Sequence, residues 1–186
     1  MKITETGFPG LLIIEPQVWP DPRGYFFESF SGKRFRDAGI DFQPVQDNES
    51  SSTKGVIRGL HYQLNPEAQS KLIRVVEGEV FDVALDIRKG SPTYGKWYGI
   101  TLSALSKKML FIPKGFAHGF SVLSERCILQ YKCDNYYSPL AERGIRFDDP
   151  EIAIDWRIKP DAIIVSQKDS GHPGLRNAES NFVFEK

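Results

Sequence analysis

The stretch Lys71-Leu-Ile-Arg-Val-Val-Glu-Gly-Glu-Val-Phe-Asp-Val-Ala-Leu-Asp86 decides the fold class of this chain. Two largely apolar runs begin in it, Lys71 to Glu77 and Glu79 to Arg88, and Gly78 separates them. Short runs rich in β-branched and aromatic residues and bounded by glycine are typical of β-strands. The stretch therefore predicts two successive strands of a mainly β protein.

The same pattern extends outward over most of the chain, where 12 prolines and 16 glycines divide the sequence into short pieces. Most pieces alternate apolar and polar residues, which predicts half-buried strands. The further predicted strands are Leu11 to Glu15, Gly24 to Ser29, Gly55 to Gln63, Trp97 to Ser103, Met109 to Ile112, His118 to Leu123 and Cys127 to Tyr136. Their spacing suits a sandwich or barrel with a mouth for a small molecule.

Two regions break this pattern. Residues Ser31 to Gly39 predict a short helix with Ser31 as its N-cap and Phe35 packed on the sheet. The tail from Pro150 predicts irregular structure with one or two short helical turns.

Length and charge limit the classes of function. At 186 residues we expect one domain spanning residues 1–186. The 24 basic and 24 acidic residues cancel and form no block of like charge, which disfavours a nucleic-acid partner. No apolar run approaches the roughly 18 residues of a membrane span, and no signal-peptide core follows Met1. We therefore expect a cytoplasmic protein with neither a membrane nor a nucleic-acid partner.

The two cysteines, Cys127 and Cys133, lie on one predicted strand. Six residues of strand separate their Cα atoms by about 20 Å, and a disulfide needs them within about 7 Å. We therefore expect two buried free thiols.

The chain has only three histidines, which limits the acid, base and metal chemistry it can support. His172 lies in Ser-Gly-His-Pro-Gly, which predicts an exposed turn without a chemical role. His61 and His118 lie in or beside strands, where each is either a hydrogen-bonded strand residue or a base. The residue two positions after His61 is Gln63, so the His-x-His pair of many β-barrel metal sites is missing, and a metal-free site is favoured.

Proton transfer is the chemistry that remains, because the chain has no Walker or dinucleotide phosphate loop and no Gly-x-Ser-x-Gly elbow. Four polar residues in apolar strands are candidates, although each could instead face solvent: Arg58, Lys71, Asp82 and Tyr131. Tyr131 shares a predominantly apolar strand face, so it is either a hydrogen-bonded core residue or an acid aimed into a cavity.

Six blocks of sequence, taken together, carry a resemblance to a known family. They are Asp21 to Glu28, Gln46 to Ser50, Gly55 to Gln63, Lys71 to Val83, Ile112 to Phe120 and Tyr131 to Tyr137, with Ser166 to Asp169 in the tail. In order and content they resemble the dTDP-4-dehydrorhamnose 3,5-epimerase family. The resemblance implies a cupin-type double-stranded jelly-roll barrel with a few short helices, a homodimer, and neither cofactor nor metal.

The resemblance also implies a reaction and a set of site residues. The family inverts C3 and C5 of a dTDP-4-keto-6-deoxy sugar by taking a proton beside the C4 ketone and returning one to the opposite face. The base matches His61, its orienting carboxylate Asp169, and the acid Tyr131. Lys71 and His118 match residues near the substrate oxygens. Asp82 is expected to support these two residues without touching the substrate itself.

The remaining matches are binding positions. Those for the substrate and its nucleotide are Arg23, Glu28, Gln46, Asn48, Arg58, Lys71, His118, Tyr137, Glu142 and Lys168. Tyr137 resembles the aromatic residue that stacks on thymine, and in the family some of these residues come from the partner subunit.

Two features of the sequence do not fit the expected pattern. Strict alternation puts Arg58 and His61 on opposite strand faces, so if both reach one site we expect a kink at Gly59. Asp134 stands where the family pattern leads us to expect Thr or Ser.

Two alternatives to the double epimerase stay open: an epimerase acting on a single carbon and a non-catalytic sugar-nucleotide-binding module.

Overall fold

The computed structural model describes residues 1–185, in which thirteen strands form two large antiparallel sheets and a separate hairpin. The strands are β1 (Lys2–Glu5), β2 (Leu12–Glu15), β3 (Val18–Asp21), β4 (Gly24–Phe27), β5 (Gln46–Thr53), β6 (Ile57–Gln63), β7 (Lys71–Glu77), β8 (Glu79–Asp86), β9 (Trp97–Ser103), β10 (Met109–Ile112), β11 (Phe116–Val122), β12 (Arg126–Cys133) and β13 (Glu142–Gly144). One sheet has the order β1-β2-β10-β7-β12-β5, the other β13-β6-β11-β8-β9, and β3 pairs with β4 alone. From β5 onward the chain passes back and forth between the two sheets, which confirms the mainly β jelly roll.

The observed strands agree with the predicted ones where apolar residues mark them. The bounds of β7, β9 and β10 are those predicted, and the other predicted strands occur with small shifts at their ends. Four strands were not predicted: β1, β3, β5 and β13. Of these, β5 matters most, because it forms the edge of the six-stranded sheet beside β12.

Three layers of buried side chains explain why so many strands are apolar on both faces. Between the sheets lie residues such as Val80, Leu110 and Leu129. The outer face of the five-stranded sheet is covered by the C-terminal tail through Ile152, Trp156 and Phe182. The outer face of the six-stranded sheet is covered by a cluster that includes Phe35, Ile40 and Phe42.

The predicted helix is confirmed as α1 (Gly32–Asp37), which buries Phe35. The Ser31 hydroxyl accepts a hydrogen bond from the Arg34 backbone N–H at 3.4 Å, and Gly39 follows with φ +75°. The tail carries three short helical pieces, where one or two were predicted: Pro160–Ala162, α2 (Gln167–Ser170) and Leu175–Asn177.

Gly59 breaks the alternation of β6, which confirms the predicted kink. The pairing register between β6 and β11 shifts by one residue here, since His118 pairs with His61 but Phe120 pairs with Arg58. Gly59 itself has φ +124° and lies so close to Gly119 that no side chain fits. As a result, Arg58 and His61 both line the space between the sheets.

Three further expectations can be compared with the structure. Cys127 and Cys133 are buried free thiols, as predicted. Asp134 has a structural role, because its carboxylate accepts a 2.6 Å hydrogen bond from the Ser70 backbone N–H just beyond β12. No helix within residues 1–185 is both long enough and apolar enough to span a membrane.

Candidate active site

A cavity of about 580 Å³ lies between the two sheets, and it collects the predicted chemical residues. Its wall includes Arg58, His61, Lys71, His118, Tyr131 and Asp169. These side chains come from both sheets and from the tail, so only the folded barrel brings them together. Arg58, Lys71 and the tail residue Lys168 make the cavity cationic.

His61 is held by Asp169, as predicted from the family pattern. His61 Nε2 lies 2.8 Å from Asp169 Oδ1, and the other carboxylate oxygen accepts a 3.2 Å hydrogen bond from the Gly59 backbone N–H. Burial opposes ionisation of Asp169, but the hydrogen bond from His61 and the bonds from Gly59 and Ser166 outweigh it, and the pKa of Asp169 is lowered. Asp169 is therefore an ionised carboxylate at neutral pH that fixes one nitrogen of the His61 ring.

A second histidine and carboxylate stand beside the first pair. His118 pairs directly with His61 across β11 and β6, so both side chains point to the same face. His118 Nε2 lies 3.1 and 3.0 Å from the two oxygens of Asp82, which is fully buried on β8. Asp82 therefore faces the interior and holds His118, and the solvent-face alternative for Asp82 does not apply.

Lys71 and Tyr131 occupy the opposite sheet, on β7 and β12. The Lys71 ammonium lies 5.7 Å from the centre of the Tyr131 ring. Burial lowers the pKa of Lys71, although the nearby Cys133, Asp82 and Glu142 oppose that shift. Burial also raises the pKa of Tyr131, so its phenol keeps its proton at neutral pH.

The cavity continues into a polar cluster formed by predicted nucleotide-binding residues. Glu142 Oε2 accepts hydrogen bonds from the Tyr137 hydroxyl at 2.8 Å and from Lys168 Nζ at 2.6 Å. Gln46 accepts a bond from the Tyr137 backbone N–H and donates one to Asn48. The structure thus brings these five predicted residues together in one cluster, which adjoins the cavity through Lys168.

Arg58 is held in place by β5. Its Nε donates to the Ser52 hydroxyl at 3.0 Å, and its Nη2 lies 3.5 Å from the Ser51 carbonyl oxygen. The guanidinium is therefore oriented by a polar strand that sequence patterning did not predict.

Two predicted binding residues do not reach this cavity within the chain. Arg23 lies at the turn between β3 and β4, where its side chain is 90% exposed and paired with Asp21. Glu28 follows the same hairpin and pairs with Arg34 at 3.1 Å. Arg23 thus lies in, and Glu28 directly after, a hairpin that is separate from the two large sheets.

The prediction that His172 is exposed was wrong. Its side chain is only 16% exposed, and its ring centre lies 5.8 Å from that of His61. Burial lowers the pKa of His172, and the neighbouring His61 lowers it further. No signal in the sequence pointed to this contact, because His172 lies beyond the end of α2 in Ser-Gly-His-Pro-Gly, a pattern that predicts an exposed turn.

The cavity offers groups for proton transfer and one set of metal donors. His61 and Tyr131 can act as base and acid, and Lys71 and His118 can stabilise negative charge on an oxygen. Among residues 1–185, the cluster of His61, Asp169 and His172 has donor atoms within 4.8 Å of one another, a spacing that could hold a metal ion.

Comparison with known proteins identifies the family. The sequence profile of dTDP-4-dehydrorhamnose 3,5-epimerase matches residues 5–177. A dTDP-4-dehydrorhamnose 3,5-epimerase of Shigella flexneri is 56% identical over 160 residues, which are 86% of this chain and 88% of that protein.

Solved structures agree with the sequence relatives. The dTDP-4-dehydrorhamnose 3,5-epimerase of Elizabethkingia anophelis superimposes with a TM-score of 0.92 at 46% identity, covering 95% of this chain and 97% of that one. The dTDP-6-deoxy-D-glucose-3,5-epimerase of Legionella pneumophila was solved in complex with dTDP-4-keto-L-rhamnose. It gives a TM-score of 0.91 at 49% identity, and the superposition covers 95% of this chain and 93% of that one. On sequence and structure alike, the chain belongs to the dTDP-4-dehydrorhamnose 3,5-epimerase family.

Proposed function

We propose that this protein inverts both C3 and C5 of dTDP-4-dehydro-6-deoxy-D-glucose to give dTDP-4-dehydro-L-rhamnose. The observation that carries the proposal is the cavity itself. In it, the pair of His61 on β6 and Asp169 in the tail lies opposite the partly buried Tyr131 on β12. The reaction needs one acid, one base and a site for negative charge, so we propose that it proceeds without a cofactor or metal.

His61 is the proposed base. A C4 ketone acidifies the C–H bonds at C3 and C5, and histidine is the side chain that most often acts as a general base in enzymes. Because Nε2 is bound to Asp169 at 2.8 Å, Nδ1 is the nitrogen left to accept the proton. The Asp169 carboxylate then stabilises the imidazolium that forms, since an ion pair favours the charged ring.

Lys71 and His118 are proposed to stabilise the enolate. Proton loss moves negative charge onto the C4 oxygen, and fixed donors in a cavity stabilise such charge strongly. Lys71 lies in the cavity wall, and Asp82 orients the His118 ring from behind.

Tyr131 is the proposed acid that returns a proton to the opposite face of the sugar. Its raised pKa, caused mainly by burial, keeps the phenol protonated until the enolate needs the proton. It stands on the sheet opposite His61, so base and acid can approach the ring from two sides.

The cationic part of the cavity is proposed to hold the nucleotide diphosphate. Arg58 and Lys168 supply positive charge, and the planar guanidinium of Arg58 can donate two parallel bonds to a phosphate. Tyr137 is more than half exposed beside Glu142, where its ring can stack on thymine, and Gln46 and Asn48 belong to the same hydrogen-bonded cluster.

We also propose that the protein works as a homodimer. The hairpin carrying Arg23 has three exposed aromatic residues, Trp19, Tyr25 and Phe26, at 44%, 57% and 67% exposure. An exposed aromatic patch of this kind marks an interaction surface. If a second copy covers it, Arg23 and Glu28 of one subunit can enter the cavity of the other.

We also propose that the protein is cytoplasmic, because the free thiols of Cys127 and Cys133 fit a reducing compartment.

The test is mass spectrometry of product formed from dTDP-4-keto-6-deoxyglucose in heavy water. Two solvent deuterons, at C3 and C5, are the expected result. One deuteron would identify a single-centre epimerase, and none with the nucleotide sugar still bound would identify a binding module.

A further inference from the structure

We propose that His61, Asp169 and His172 form a binding site for a transition-metal ion of the Zn²⁺ class, and that the bound ion inhibits the enzyme. The site is a second use of the His61–Asp169 pair. The inhibition rests on the proposed function, whereas the binding does not.

The donor atoms are nearly placed for such an ion. His61 Nε2 lies 2.8 Å from Asp169 Oδ1, and His172 Nε2 lies 3.9 Å from the same oxygen. All three donors lie within 4.8 Å of one another. Around a tetrahedral Zn²⁺ with bonds of about 2.0–2.1 Å, ligand atoms are about 3.3 Å apart. Small side-chain movements therefore convert the cluster into three ligands of one ion.

His172 supplies the observation that points to a ligand. Its Nε2 is buried and has no hydrogen-bond partner within residues 1–185. Buried polar atoms without a partner are rare in native proteins, and each calls for an explanation. The ring packs edge-on against His61 and against the bare Cα of Gly144, where any side chain would collide with it. The nitrogen is thus held beside Asp169 with its bonding capacity unused.

The chemistry of the donors selects the class of ion. Two imidazoles and one carboxylate suit Zn²⁺ and Co²⁺, whereas Mg²⁺ and Ca²⁺ prefer sites made of oxygen atoms. His61 and Asp169 line the cavity, so water can complete the coordination from the open side. One of the three cationic residues of the cavity, Lys168, is paired with Glu142 at 2.6 Å, which balances part of the positive charge that a bound ion would meet.

Binding would remove groups that the proposed reaction needs. The ion takes the Asp169 oxygen that orients His61 and the ring nitrogen that this oxygen holds. Its positive charge also opposes protonation of the His61 ring. We therefore expect reversible inhibition that a chelator relieves.

Binding is tested with the metal alone on tag-free, chelator-treated full-length protein. Titration with Co²⁺, followed by visible d–d absorption, should give a saturable signal at one ion per chain that Zn²⁺ displaces. His172→Gln should weaken Co²⁺ affinity by at least about tenfold. Replacing a residue that only hydrogen-bonds to a metal ligand already lowers metal affinity by about that factor. His172→Asn is the second variant, and circular dichroism confirms folding of both.

His118→Gln is the matched control, since His118 lies in the same cavity outside the cluster and its replacement should leave Co²⁺ affinity within a factor of a few. A wild-type protein that gives no stoichiometric Co²⁺ signal would overturn the site. Equal affinity in folded His172→Gln would overturn it as well.

Inhibition is tested in the deuterium assay by comparing each variant with its own metal-free rate. Zn²⁺ should slow the wild type, with recovery after chelation, and should slow His172→Gln only at higher concentration. Stoichiometric Zn²⁺ binding that leaves the wild-type rate unchanged would overturn the inhibition. A protein without epimerase activity would refute the proposed function, and the Co²⁺ titration would still decide the site.

Discussion

His61 and Asp169 are 108 positions apart in the sequence and 2.8 Å apart in the fold. No local pattern connects them, so the family resemblance was the only sequence signal for this pair. Residue chemistry did limit the possibilities, because three histidines and few polar residues in apolar strands leave few candidates. It did not reveal that His172 joins the pair, since a turn rich in glycine and proline predicts exposure rather than contact.

Removing the charge of Asp169 should slow proton abstraction. Asp169→Asn keeps the shape but cannot stabilise imidazolium, so we expect the rate of deuterium incorporation to fall about 100-fold. Asp161→Asn, at an exposed position in the same tail, is the control and should keep the wild-type rate. A wild-type rate in folded Asp169→Asn would contradict the role of the pair.

Tyr131→Phe should separate proton removal from inversion. His61 remains, so solvent deuterium should still enter the substrate, while the yield of inverted product falls about 100-fold. Mass spectrometry gives the exchange, and chromatography or NMR gives the inversion. Tyr136→Phe, at a tyrosine that is 65% exposed, is the control. Full inversion by Tyr131→Phe would assign the acid elsewhere.

The buried Asp86 should make stability depend on pH. Burial opposes its ionisation, but hydrogen bonds from Arg88, Ser91 and Thr93 outweigh burial and lower its pKa. Because the pKa of Asp86 is lower in the folded than in the unfolded protein, the ionised carboxylate stabilises the fold at pH values above the unfolded pKa of about 3.9. This stabilisation is lost as the pH falls through the pKa of the folded protein.

Asp86→Asn should therefore lose about 3 kcal/mol of unfolding free energy at pH 7, as expected for breaking a buried ion pair. The difference in unfolding free energy between Asp86→Asn and the wild type should become smaller below about pH 4. Asp148→Asn, which breaks the exposed pair with Arg146, should cost less than about 1 kcal/mol. Urea denaturation at several pH values measures both. A difference that does not narrow in acid would contradict the assignment.

At the scale of elements, β6 and β5 show what patterning can and cannot predict. The kink in β6 was predictable because two site residues three positions apart had to share a face, and glycine was available between them. The strand β5 was not predictable, because Gln-Asp-Asn-Glu-Ser-Ser-Ser-Thr has no apolar alternation. It is a strand because β12 pairs with all eight of its residues.

Gly59→Ala should disrupt β6 more than a positive φ alone can explain. A side chain there meets the Gly119 backbone, whereas at Gly90, also at positive φ, a side chain meets nothing within 4 Å. We expect Gly90→Ala to cost about 1 kcal/mol from the left-handed backbone. Gly59→Ala should cost clearly more in the same denaturation experiment and should lower the epimerisation rate. Equal losses would show that the contact with Gly119 tolerates a methyl group.

At the scale of the whole molecule, both sheets are covered on both faces, one by the tail and the other by the cluster around α1. Strand spacing and punctuation predicted two sheets and a mouth, but not which segments would cover them. The hairpin of β3 and β4 is left outside this arrangement with its aromatic side chains exposed.

The hairpin should mediate dimerisation. Light scattering should give twice the chain mass of 21.1 kDa for the wild type. Replacing Trp19 and Phe26 together by serine should shift the mass toward the monomer and weaken nucleotide-sugar binding, since Arg23 would lose its place in the partner's cavity. Replacing the exposed Leu105, on the β9–β10 turn, by serine is the control. A monomeric wild type would contradict the proposed homodimer.

The position of Asp169 in the tail also bears on when the enzyme becomes active during its synthesis. A ribosome adds roughly 5–20 residues per second, so the carboxylate is made several seconds or more after His61. Most of the jelly roll precedes it, because β13 ends at Gly144. A nascent chain, or a fragment cut before α2, can therefore contain all thirteen strands described for residues 1–185 while His61, the proposed base, still lacks the carboxylate proposed to orient it. On the proposed mechanism, catalytic competence therefore has to wait for synthesis of the segment that carries Asp169.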